Sequence, residues 1–269
     1  MSNSELHLFI FEGEAETKYV EKLERNFLGK NVSVKCVYDT EIYQLYKKIK
    51  EEDFIVDVIN ILKERSKKNA EVLKDYNRES FAAIYLFFDY DAHSSIADDK
   101  HIVEMLEFFD NETENGMLYL SYPMVEAIRH YKDMDSFKGL TAKCKRGNKY
   151  ENVNCPYKDN CEELDACLAE PHYKTLVPTD CRTQLTNINS YNLDVWEELI
   201  RAHVFKMNYL VNDKFSMPER IVGQSHIFNQ QFEKHINRKC PKVAVLSAFP
   251  MYVLDYYGVA TLKKKLGIE

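Results

Sequence analysis

Apolar residues fall in short dense runs over the first half of the chain, with helical stripes between them. Residues 5–11 (ELHLFIF) form a run that stops at Glu12-Gly13 and predicts a first strand. Tyr19, Leu23 and Phe27 then recur every four residues, the spacing of a helix face. Residues 32–38 (VSVKCVY) alternate and predict a second strand, and helical spacing returns over 41–50 and 54–65. Residues 81–88 (FAAIYLFF) are apolar throughout, as in a strand covered on both faces, and lead directly into Asp89-Tyr90-Asp91. A helix from about His101 to Phe109 carries Ile102, Met105, Leu106 and Phe109 on one face, and 117–121 (MLYLS) predict a fourth strand. The order βαβαβαβ predicts an α/β fold, a parallel sheet flanked by helices over residues 1–135.

The texture changes after Tyr131. Residues 136–191 are polar, show no period and hold five of the seven cysteines, so they are expected to form an irregular Cys-containing insert. Residues 192–269 are expected to be mainly helical, with helices over 192–210 and about 219–237, a strand at 242–247 (KVAVLS) and helical turns beyond.

Composition narrows the classes. Eight glycines and seven prolines in 269 residues are too few for a turn-rich all-β protein, and 45 % apolar residues exclude a disordered one. The longest apolar stretches fall far short of the roughly 20 residues a bilayer requires, so no membrane association is expected. The N-terminal MSNSELHLFIFEGE lacks a basic leader. A cytoplasmic protein with reduced or metal-bound thiols is the resulting expectation. The net charge of −7 argues against a general polyanion binder, but residues 192–269 carry eleven Lys/Arg against eight Asp/Glu, which leaves −10 for residues 1–191.

The acids have positions that matter. In a parallel α/β sheet, ligands bind beyond the carboxyl ends of the strands. Glu12 and Glu16 follow the first predicted strand, Asp89 and Asp91 the third, and Glu126 the fourth. Two carboxylates one residue apart on extended backbone point the same way, and Glu12 can approach Glu16 if a helix begins between them. Crowded carboxylates repel, and Mg²⁺ or Mn²⁺, which prefer oxygen ligands, relieve that repulsion. A divalent ion so held activates water and stabilises a departing oxygen, which is phosphoryl-transfer chemistry.

These residues resemble the TOPRIM domain: FxEGExET after a strand, a hydrophobic strand ending in Asp-x-Asp, and a later strand ending in SYPMVEA. They are most similar to the versions in OLD-type and RloB-like bacterial defence nucleases, over about residues 5–131. The resemblance implies a metal-dependent nuclease cutting DNA or RNA in anti-phage defence. It implies Glu12 as metal ligand or general acid/base, Gly13 as the turn into the helix, Glu16 as a second-metal ligand, Asp89 and Asp91 as the metal-binding pair, and Ser121 and Glu126 as the later site residues. Lys132 and Lys138 are the candidates for that branch's lysine. It also implies an ABC-type or AAA ATPase partner, which must be a separate chain because no GxxxxGK[ST] motif is present.

Two other readings compete: a non-catalytic or toxin-like module that docks on an ATPase through its acidic cleft, and a primase- or topoisomerase-like TOPRIM enzyme. The sequence admits a transfer-RNA substrate and a homodimer without a residue that argues for either. Cys155, Cys161 and Cys167 are the candidate ligands of a structural zinc, although their spacing is wider than the usual two-residue knuckle. Lys143, Lys145, Arg146 and Lys149 form a basic stretch that could steer nucleic-acid phosphates.

Overall fold

The computed structural model describes residues 5–28, 32–92, 94, 96–143, 172–238 and 241–268. The chain divides into two compact units, one formed by residues 1–88 and 99–119 and the other by 89–98 and 120–269.

The first unit holds a five-stranded, mostly parallel sheet flanked by helices. Its strands are β1 (Leu6–Phe11), β2 (Val32–Val37), β3 (Ala83–Asp89), β4 (Asp110–Asn111) and β5 (Gly116–Ser121), in the order β2-β1-β3-β5-β4. β1 pairs in parallel with β2 (Phe11 opposite Val37) and with β3 (Phe11 opposite Phe87). Leu8, Phe9, Ile10 and Phe11 are all at most 1 % exposed, as expected of a strand with neighbours on both sides and covered faces. Phe9, Phe11, Phe87 and Tyr119 share one face, with ring centroids 5.5–6.2 Å apart, while Leu8, Ile10, Ile84 and Leu86 line the other. The two-residue β4 pairs antiparallel with β5. Sequence periodicity does not reveal it because two residues carry no period.

The helices α1 (Glu14–Leu23), α2 (Ile42–Glu51), α3 (Val58–Arg65), α4 (Lys67–Val72) and α5 (Asp99–Phe108) complete this unit. Helix α3 begins at Val58 rather than near 54. Asp53 and Phe54 take left-handed φ values of 51° and 59°, which halt helical winding, and Asp57 Oδ1 accepts the Ile59 N–H at 2.8 Å as the cap. A single π-turn, Glu24–Leu28, extends α1.

The second unit contains a 3₁₀ turn (Val125–Arg129), α6 (Met134–Lys138), α7 (Tyr173–Asp180), α8 (Leu193–Asn212), α9 (Gln224–Gln231) and α10 (Ala248–Lys265). β6 (Thr141–Lys143) and β7 (Lys242–Ala244) pair antiparallel across about a hundred residues of sequence. Trp196, Leu199, Ile200 and Met207 of α8 are fully buried, as their helical spacing predicts. Helix α8 stops at Asp213, whose φ of 58° is the left-handed conformation of a C-terminal cap. Helix α9 starts after Gly223 rather than at 219, and α10 is kinked at Gly258 (φ 68°, ψ 162°). Among the described residues no helix is long and apolar enough to cross a membrane. Cys155, Cys161, Cys167, Lys145, Arg146 and Lys149 lie outside the described residues.

Candidate functional site

Glu12 is fixed through its backbone. Its N–H donates to Phe87 O at 3.0 Å and its carbonyl accepts the Asp39 N–H at 2.9 Å, so both hydrogen-bond ladders of β1 continue one residue past the strand. Gly13 follows in extended backbone (φ −140°, ψ 179°), a conformation open to any residue, so the turn into α1 does not require glycine. Glu16 is 5 % exposed, and its Oε2 accepts the Gly13 N–H at 3.2 Å. The helix does begin between the two acids, but Glu16 meets the Gly13 backbone and satisfies a donor at the helix start.

In the second unit, Asp89 is 4 % exposed and is the last residue of β3. Asp91 has φ of 34°, left-handed for a non-glycine residue. Alternation therefore stops at Asp89, and the expectation that extended backbone aims both carboxylates one way is corrected. The left-handed turn is held by the Asp91 N–H donating to Pro123 O at 3.1 Å and by the Ser94 N–H donating to Asp91 O at 3.2 Å. The Tyr90 N–H donates to Ser121 O at 3.0 Å, which ties this turn to the end of β5.

Ser121 is buried, and its Oγ accepts the Ala248 N–H at 3.3 Å. That N–H belongs to the first turn of α10 and has no carbonyl partner within the helix, so the hydroxyl has a capping task. Glu126 sits on the 3₁₀ turn. Its Oε2 is buried without a hydrogen-bond partner among the described residues, and its Oε1 lies 3.9 Å from the Arg129 guanidinium.

Beside Glu126 lies an array that spacing did not suggest. His130, 2 % exposed, makes 2.9 Å hydrogen bonds from Nδ1 to the Tyr173 hydroxyl and from Nε2 to Asp180 Oδ2. Lys132 Nζ donates to Asp180 Oδ1 at 2.5 Å. Burial lowers the His130 pKa despite the opposing pull of Asp180, so the ring is neutral near pH 7. A carboxylate only accepts, so Nε2 carries the proton and Nδ1 accepts from the phenol. Burial first, then the charges of Glu126 and Asp89, raise the Tyr173 pKa well above its ordinary value and keep its hydroxyl protonated. Lys132 hydrogen bonding, followed by His130, lowers the Asp180 pKa. His130 is four residues after Glu126 and could have been suspected from the sequence, but Tyr173 and Asp180 are 43 and 50 residues further on and carry no local signal.

The structure thus brings Asp89 and Glu126 into electrostatic reach of one phenol, and places Glu12 and Glu16 within the first unit. Of the two lysine candidates, Lys132 joins the Asp180 array, while Lys138 lies over the Tyr209 and Phe215 rings at 4.6 and 5.7 Å. Lys143, in β6, stands opposite Lys242. Among the described residues no group of three or more His, Cys, Asp or Glu side chains is disposed to hold a metal ion. Cys36 and Cys181 are free thiols, and burial raises Cys36 to about 12, which makes it inert at neutral pH. No family model, curated protein or solved structure matches the chain.

Proposed function

We propose that this protein is a metal-dependent nuclease whose second-unit acids, Asp89, Asp91 and Glu126, act on a phosphodiester. The observation that carries the reading is Glu126 Oε2, buried without a hydrogen-bond partner among the described residues, on a carboxylate that shares with the buried Asp89 an electrostatic influence on the Tyr173 phenol. A buried carboxylate oxygen is costly unless a donor or cation meets it. An all-oxygen donor set suits Mg²⁺ or Mn²⁺. Such an ion, when bound, supplies Lewis acidity to a phosphoryl oxygen. The left-handed Asp91 adds support, since strained non-glycine backbone gathers at functional sites.

The chain's own residues have complementary tasks. The Asp89 and Glu126 carboxylates would hold the cation, and Arg129, 3.9 Å from Glu126, would meet a substrate phosphate. Tyr173 donates its one O–H to His130 Nδ1, so its oxygen is left as an acceptor, and the ring is kept in orientation by His130 and Asp180. The motif resemblance adds Glu12 and Glu16 to the residues the reaction needs, Ser121 to those that shape it, and a separate ATPase in anti-phage defence to the biological setting.

The test is cleavage of labelled single-stranded DNA, duplex DNA and RNA, transfer RNA included, by the purified chain with Mg²⁺ or Mn²⁺. Asp89→Asn should lose about 100-fold or more of the rate while keeping the circular dichroism of the parent. Undiminished cleavage by that variant, or no cleavage by the parent with either ion, removes the assignment.

A further inference from the structure

The second unit contains a cavity of about 180 Å³ that has no part in the chemistry above. Its wall brings together the end of α6, the later half of α8, the π-turn Phe232–Ile236 and β7. Leu210 and Ala244 provide apolar surface. The charged wall consists of Lys138, Lys206 and Lys234 against one acid, Asp213, which Lys234 already contacts at 3.0 Å.

Lys206 is the unusual member. It is 2 % exposed, its Nζ donates to Phe137 O at 2.8 Å and to Leu140 O at 2.5 Å, and the Phe137 ring lies 4.2 Å from the nitrogen. Those carbonyls belong to the end of α6 and the loop after it, so one role of the lysine is to tie that loop to α8. An ammonium has three N–H bonds, and the two carbonyls take two, which leaves one for an occupant of the cavity. No carboxylate forms a salt bridge with Lys206 among the described residues, although buried charges are ordinarily paired. Burial alone drives its pKa well below the ordinary lysine value, and an anion in the cavity would oppose that shift and hold the ammonium form. The surrounding field is positive: after burial, His235 on the same wall is lowered further by Lys206, Lys234, Arg238 and Lys242.

We propose that this cavity binds a small organic anion, a carboxylate or phosphate monoester on a short apolar body. Its negative head meets Lys138, Lys206 and Lys234, and its body lies against Leu210 and Ala244. The volume is below the roughly 300–1,000 Å³ of sites for drug-sized ligands, so the occupant is a small metabolite.

Titration calorimetry of the full chain with sodium butyrate and with glycerol phosphate tests this. Binding of at least one of them with Kd of about 1 mM or tighter is expected, and butylammonium should not bind. Lys138→Gln combined with Lys234→Gln should weaken binding about tenfold or more, and Lys206→Met should abolish it. If Lys206→Met fails to fold, the double variant, whose lysines are exposed or half-exposed, decides. No binding of either anion up to about 10 mM, or unchanged binding by the double variant, overturns the proposal. So does inorganic phosphate binding as tightly as both organic anions, because the apolar wall then contributes nothing. Displacement of the bound anion by a short oligonucleotide assigns the cavity to polynucleotide phosphates and overturns it equally. Nuclease activity plays no part in any of these readouts, so the two proposals stand or fall separately.

Discussion

The Glu16 carboxylate accepts the Gly13 N–H, and this one bond separates two tasks that the sequence motif merges. As a cap acceptor Glu16 needs only an oxygen at that position; as a metal ligand it needs a charge. Glu16→Gln keeps the oxygen, so its urea midpoint should stay near that of the parent, whereas Glu16→Ala should lose about 1 kcal/mol. If cleavage nevertheless falls sharply in Glu16→Gln, the charge serves the reaction; if cleavage persists, the residue is a cap and leaves the list of ligands. A Glu16→Ala variant as stable as the parent would show that the cap contributes nothing. Glu12, Asp89 and Glu126 stand out in the sequence because acids following three of the predicted strands share one end of a parallel sheet, although each alone is ordinary. The partners of His130 do not: Tyr173 and Asp180 reach its ring only through the packing of α7, and nothing local to them marks it.

Among the elements, strands and long helices followed their periods closely, while short or irregular ones did not. β1 and β3 needed only continuous apolar runs, and α8 needed only its buried stripe of Trp196, Leu199, Ile200 and Met207. The two π-turns, Glu24–Leu28 and Phe232–Ile236, break the 3.6-residue period at helix ends, and α7 contains Pro178 near its end, so pattern alone underestimates them. The β6–β7 pair depends on contacts distant in sequence, which no local pattern encodes. The β4–β5 hairpin has one position at which backbone and packing agree on glycine. Gly116 has φ of 126°, and a Cβ there would lie 2.6 Å from Leu86 Cδ1 and 3.2 Å from Ile84 Cγ2. Gly116→Ala should therefore cost about 2–3 kcal/mol in chemical denaturation, more than the usual glycine-to-alanine change. A loss below about 0.5 kcal/mol would mean that the hairpin relaxes freely and does not constrain β3.

Over the whole molecule, the response to acid follows from how histidines are buried. Burial lowers the pKa of His130, His203 and His235, and His203, fully buried with Nδ1 accepting the Ser247 N–H at 3.1 Å, falls to about 3. A group with a depressed folded pKa binds its proton more readily in the unfolded chain. Its contribution to stability is complete above the unfolded value of about 6.5 and diminishes as pH falls below it. For His203 that loss continues down to about pH 3, at up to about 1.4 kcal/mol per pH unit. Asp180 and Glu198 are also depressed, by Lys132 and Arg182 respectively, but their loss begins only below about pH 4 and is reduced by their exposure. The urea midpoint should therefore decline from about pH 6.5, well before carboxylates titrate. His203→Asn, which can still accept the Ser247 N–H through its side-chain carbonyl, should start from lower stability at pH 7 yet show a shallower decline toward pH 4. Equal slopes for parent and variant between pH 6.5 and 4.5 would remove His203 as the source. A midpoint constant across that window would mean that the buried rings take up protons in the folded chain as readily as in the unfolded one, contrary to the desolvation their burial imposes.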